Sequence, residues 1–134
     1  MKDGLVVDKL NWSEWRPLLP QVVSEFVPDL PGIYEIKTDR EFGRLNGSSR
    51  IVYIGSAARN TPSLRKRLLG RISNGSLAEK RLWEHERNLE FRFATMSDGQ
   101  TAERMEAERQ IDYERQHWEL PPGNGAFPRR YFRP

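Results

Sequence analysis

Apolar residues along the chain fall into short runs whose spacing separates strands from helices. Two runs lie close together, Ile33, Tyr34 and Ile36 in the first and Ile51, Val52, Tyr53 and Ile54 in the second, and both are rich in the β-branched and aromatic types that favour strands. Between them a polar segment carries Gly43, Asn46, Gly47, Ser48 and Ser49, which predicts a hairpin turning at Asn46-Gly47, with a connection long for a tight turn. A third stretch, Leu89 to Met96, sets Leu89, Phe91 and Phe93 against Glu90 and Arg92, the alternation of a half-buried strand with Phe91 and Phe93 toward the core.

The remaining segments follow helical spacing. Leu64, Leu68 and Ile72 form a stripe one turn apart, with Thr61 or Ser63 as the cap, Pro62 in the first turn and Asn74-Gly75 as the stop. Ser76 to Asn88 reads as a second, highly charged helix in which His85 has no motif around it. A third helix runs from Thr101 to Trp118, started by Ser97, Asp98 and Gly99 and stopped before Pro121-Pro122. On it Ala107, Ile111 and Trp118 line one face, and Glu106, Gln110, Tyr113 and His117 share another. Residues 1–30, with apolar positions between Pro17, Pro20 and Pro28, predict one or two short helices in which Trp12 and Trp15 pack rather than stack on bases. The fold expected is α/β of the α+β type, a small three-stranded, mainly antiparallel sheet flanked by helices. Residues 1–30 form a helical extension packed on a central domain at 31–125, and 126–134 form a basic, aromatic tail.

A length of 134 residues suits a single domain with its own core. No apolar run is long enough to cross a membrane and the first residues lack a signal-peptide pattern, so the expected location is cytoplasmic with no membrane partner. With no cysteine and two histidines, thiolate metal sites are excluded and any metal must be held by oxygen. The net charge of +3 is small, but its distribution is uneven. Five basic and no acidic residues lie between Arg59 and Arg71, and Arg129, Arg130 and Arg133 follow Leu120 without an acid. Two such patches suit a polyanion. The tail also places Phe127, Tyr131 and Phe132 among its arginines.

Gly32-Ile33-Tyr34 and Tyr53-Ile54-Gly55, in that order and separation, closely resemble the GIY-YIG nuclease domain. Three further features extend the resemblance to about Asn124. They are Leu64-Arg65-Lys66-Arg67 on the first long helix, Ala102-Glu103-Arg104-Met105-Glu106 on the last, and Pro121-Pro122-Gly123-Asn124 after it. Order and number make the match specific, since a lone tripeptide carries nothing.

The resemblance implies a metal-dependent endonuclease that hydrolyses phosphodiester bonds in DNA. Glu106 would hold a single Mg²⁺ or Mn²⁺, with Glu108 as the competing carboxylate, and Arg67 would grip the scissile phosphate, for which a planar guanidinium is suited. Tyr34 is expected as the base, with a phenol pKa lowered by a nearby cation, and Tyr53 as the group that positions phosphate or water. Arg59, Arg65, Arg71 and Asn124 are the nucleic-acid-binding candidates. Arg71 stands where some relatives carry a histidine, and Ser56 to Arg59 covers the place of a family lysine that is missing here, with Arg59 as a substitute. That departure leaves an alternative, a catalytically weak or inactive nucleic-acid-binding or protein-interaction module on the same fold. The oligomeric state stays open, with a monomer as the simplest case.

Overall fold

The computed structural model describes residues 10–74 and 88–124. The expected helix at 76–88 with His85 and the tail at 126–134 lie outside them, apart from Asn88. Among the described residues the elements run β1 (Arg16–Pro17), α1 (Pro20–Phe26), β2 (Gly32–Gly43), β3 (Ser48–Ala57), α2 (Leu64–Asn74), β4 (Glu90–Thr95) and α3 (Gly99–His117). The sheet is antiparallel throughout, in the order β1-β4-β2-β3.

The sheet therefore has four strands where the sequence predicted three. The extra one, β1, belongs to the N-terminal segment and pairs Arg16 with Phe91 and Pro17 with Glu90. Backbone bonds from Ser13 to the Phe93 carbonyl and from Leu18 to that of Leu89 extend the contact along β4. Nothing in the local pattern announces it, because a two-residue strand has no alternation and proline is tolerated only at such an edge. One helix, α1, follows it, with Val23 buried and Phe26 exposed.

The β2–β3 hairpin is longer, and its loop shorter, than the apolar runs suggested. Strand β2 continues through Thr38 to Gly43 across two irregularities of register, and four residues close the turn, Gly47 with a φ of 76°. Strand β2 lies between β4 and β3 and is covered on both faces, so its side chains from Ile33 to Ile36 are all buried. On one face Tyr34, Ile36, Tyr53 and Phe91 pack with Val23, Val27, Leu64 and Leu68 beneath α1 and α2. On the other, Ile33, Ala58, Ala94 and Ala102 pack beneath α3. The Leu64 and Leu68 stripe is the one predicted, and Ser63 caps α2 by accepting from the Lys66 amide at 3.2 Å.

Helix α3 packs by the face that looked polar. Gln110, Tyr113 and His117 are buried with Ala102 and Ala107, while Trp118 is exposed and serves as a left-handed cap. The nitrogens of Gln110 and His117 are tolerated there because each meets a backbone carbonyl. Gln110 donates to the Ile54 carbonyl at 3.0 Å, His117 Nδ1 donates to the Asn46 carbonyl at 2.9 Å, and the Tyr113 ring lies 4.4 Å from that of His117.

A buried charge cluster sits beneath the N-terminal segment. Glu35, fully buried on β2, accepts from Arg92 of β4 at 2.7 Å and from Arg109 of α3 at 2.9 Å. The Arg92 guanidinium lies 4.0 Å from the Trp12 ring centre and 4.8 Å from that of Trp15, so both tryptophans pack on a cation, and Trp12 also packs against the apolar cluster around Ile33.

Candidate active site

The two tripeptides place their tyrosines on one face of the hairpin and keep that face clear. Tyr34 pairs with Gly55 and Ile36 with Tyr53, which brings the two phenol rings to 5.9 Å, nearly parallel. They converge over Gly55, where a Cβ would lie 2.6 Å from Tyr53 Cε2 and 2.8 Å from the Tyr34 oxygen. A Cβ on Gly32 would lie 2.3 Å from the Ala94 carbonyl oxygen and 2.7 Å from Leu64 Cδ1. Both motif glycines are thus required by close approach, and neither by a turn.

Helix α2 leans its arginines over the phenols. Arg71 Nε donates to the Tyr34 oxygen at 2.9 Å, Arg71 Nη2 donates to the Tyr53 oxygen, and the guanidinium lies 4.5 Å from the Tyr53 ring centre. One planar, rigid fork therefore donates to both tyrosines at once. Tyr34 is fully enclosed, and burial pushes its phenol pKa up, with Arg71 and then Arg67 pulling it part of the way back. The lowering expected from a neighbouring cation is present, but burial outweighs it.

Helix α3 supplies the carboxylates. Ser56 Oγ donates to one oxygen of Glu106, and Gln110 Nε2 donates to the other at 3.0 Å. Burial raises the Glu106 pKa, and the two hydrogen bonds and the charge of Arg71 only partly oppose it. One turn earlier Glu103 pairs with Arg59 at 3.0 Å. Arg59 itself has a φ of 41°, uncommon for a residue with a side chain. Glu108, the competing carboxylate, is exposed.

These groups surround a cleft of about 280 Å³ lined by Tyr53, Ser56, Ala58, Arg59, Asn60, Arg67, Arg71, Glu103 and Glu106. Strand β3 is at the sheet edge, so residues from both of its faces can reach one opening. Of the residues singled out in the sequence, Tyr53, Arg59, Arg67, Arg71 and Glu106 line the cleft, and Tyr34 sits behind Arg71. Two are directed elsewhere. Arg65 donates to the Val27 carbonyl at 2.8 Å. Asn124 accepts from the Ile54 amide at 3.1 Å and donates to its carbonyl at 2.9 Å, so both ends of its side chain brace β3. Glu103 and Asn60 were not singled out, and only their distance along the chain from Glu106 and Arg67 hints at a shared site. Ser56, the first residue of the stretch that lacks the expected lysine, is a direct partner of Glu106.

The donors in this cleft are carboxylate and hydroxyl oxygens, with no imidazole or sulfur among the lining residues. Among the described residues no three His, Asp or Glu side chains converge. A largely enclosed carboxylate braced by Ser56 and Gln110, with Glu103 one turn earlier, fits a single hard divalent cation that keeps much of its water.

The sequence matches no protein-family model and no curated protein sequence. Its structure is similar to that of the GIY-YIG N-terminal endonuclease domain of UvrC from Thermotoga maritima, a tyrosine-to-phenylalanine point mutant bound to its catalytic divalent cation. The TM-score is 0.50 at 19% identity, over 79% of this chain and 98% of that one. At that identity the likeness is one of fold.

Proposed function

We propose that this chain, folded as a GIY-YIG-like domain, is a metal-dependent endonuclease that hydrolyses phosphodiester bonds in DNA. Residues 31–125 would be the nuclease domain and 1–30 an extension built onto it. The observation that carries the reading is the convergence of Tyr53, Arg67, Arg71 and Glu106, from one strand and two helices, on one cleft.

Glu106 would hold one Mg²⁺ or Mn²⁺, which when bound would offset charge at the scissile phosphate and the leaving oxygen. Ser56 and Gln110 hold the carboxylate in place, each on one oxygen. Arg67 reaches the Ala58 carbonyl at 3.5 Å and lines the cleft, so its guanidinium would take a phosphate oxygen there and offset its negative charge. Tyr53 lines the cleft while Tyr34 is enclosed, which favours Tyr53 as the base over Tyr34, the phenol expected from sequence. Tyr53 is the phenol placed to exchange a proton with an attacking water, and Arg71 stands ready to balance negative charge on its oxygen. Tyr34, held neutral by burial, fixes Arg71 from behind.

Supercoiled plasmid incubated with Mg²⁺ or Mn²⁺ tests this. Wild type should nick it, and Glu106→Ala and Arg67→Ala should each lose at least a hundredfold in rate. Nicking that survives both substitutions would remove the site assignment. A second reading, a binding module without turnover, draws on one observation: the hydroxyl on Glu106 belongs to Ser56, in the stretch where relatives carry a cation. Intact, strongly salt-dependent DNA binding with no nicking on any DNA would select it.

A further inference from the structure

Helix α2 carries a residue that its own stability argues against. Gly70 lies in the interior of Leu64–Asn74, where glycine is among the least favourable residues. At Gly32 and Gly55 neighbouring atoms leave no room for a Cβ. At Gly70 a Cβ would meet nothing within 4 Å among the described residues, and the backbone is not left-handed. The helix gives up stability here for no packing reason that the described residues supply.

Gly70 faces a second groove of about 280 Å³, lined by Thr61, Lys66, Arg67, Gly70 and Arg71. Lys66 and Arg67 stand four and three residues before it, on the same side of the helix. Among the described residues, three cations and a hydroxyl border this groove and no carboxylate does. Arg67 and Arg71 also line the cleft that contains Glu106, so the two concavities adjoin across this arginine pair. A polynucleotide carries a phosphate on every nucleotide, and a strand reacting at Glu106 must run on past the arginines.

We propose that the groove over Gly70 is a seat for a second phosphate of the same DNA strand, next to the one cleaved. This rests on the nuclease reading above. Lys66 and the Thr61 hydroxyl supply donors beside the two arginines, and the missing side chain lets the sugar-phosphate backbone come down onto the helix.

The test measures binding of a short fluorescent DNA duplex without divalent metal at several salt concentrations, together with Tm, for Gly70→Ala, Gly70→Leu and Lys66→Ala. Both Gly70 substitutions should hold or raise Tm. Gly70→Leu, which fills the groove, should weaken binding about tenfold, and Lys66→Ala should lower the slope of log Kd against log salt by about one. Unchanged affinity and salt slope in Gly70→Leu would overturn the seat, as would a fall in Tm for both Gly70 variants, which would put protein rather than DNA over the glycine. Cleavage by wild type and Gly70→Leu alike would overturn the seat and leave the nuclease standing. Binding that depends on Gly70, with no cleavage of any DNA, would do the reverse. A wild type that does not bind DNA would overturn both.

Discussion

Glu106 is a carboxylate that the fold makes reluctant to ionise. Its pKa is raised by burial, so its contribution to stability is fully present below the ordinary glutamate value of 4.5. That contribution is lost as pH rises through the elevated one. Glu106→Gln should therefore be more stable than wild type at pH 7, with the gap closing toward pH 4, as thermal melts across that range would show. Mg²⁺ or Mn²⁺ should raise the Tm of wild type at neutral pH and leave Glu106→Gln unmoved, because an ion that binds only the folded carboxylate stabilises by mass action. The resemblance to a family motif singled out Glu106 on α3 and Arg67 on α2, and the fold brings both to one cleft. The limit of the resemblance is visible in Asn124, whose position after two prolines matched a motif while its amide turned out to be occupied by Ile54. A motif gives the residue type and place along the chain, but not which hydrogen-bonding group lies nearest once the chain has folded.

At the scale of elements, the hairpin was legible because β2 and β3 are read from short-range signals: β-branched runs, a turn pair, and tyrosines at matching places. What those signals omit is why the glycines are there. Gly55→Ala should cost about 1–3 kcal/mol from overpacking against the two phenols, seen as a lower denaturation midpoint. It should also weaken cleavage, since Tyr53 and Arg71 must shift to admit the methyl group. Helix α3 lies where its pattern predicts, but its faces do not sort by hydropathy. Its buried face holds Gln110, Tyr113 and His117, and a hydropathy pattern scores these as solvent-facing, since it cannot foresee the carbonyls of Ile54 and Asn46 that receive them. Strand β1 failed for the opposite reason: its hydrogen bonds go to β4, more than seventy residues away, and so leave no local trace.

The molecule as a whole is tied together across its sheet by Glu35. One carboxylate joins β2 to β4 through Arg92 and to α3 through Arg109, and the tryptophans of the N-terminal segment close over Arg92. Glu35→Ala leaves two arginines facing a site built for an anion, and should cost about 3 kcal/mol. Urea unfolding should show it as a lower midpoint at unchanged slope. Among the described residues no helix is long and apolar enough to cross a membrane. The outer margin of β3 has its own consequence. Gly123 donates to the Val52 carbonyl at 2.7 Å, and Asn124 takes both the amide and the carbonyl of Ile54, so the strand beside the cleft is already zipped to the chain's own downstream segment. A sheet cannot be continued into a neighbouring molecule through positions that are taken. If cutting both strands of a duplex requires two copies, they cannot pair strand to strand through Val52 to Ile54 beside the cleft.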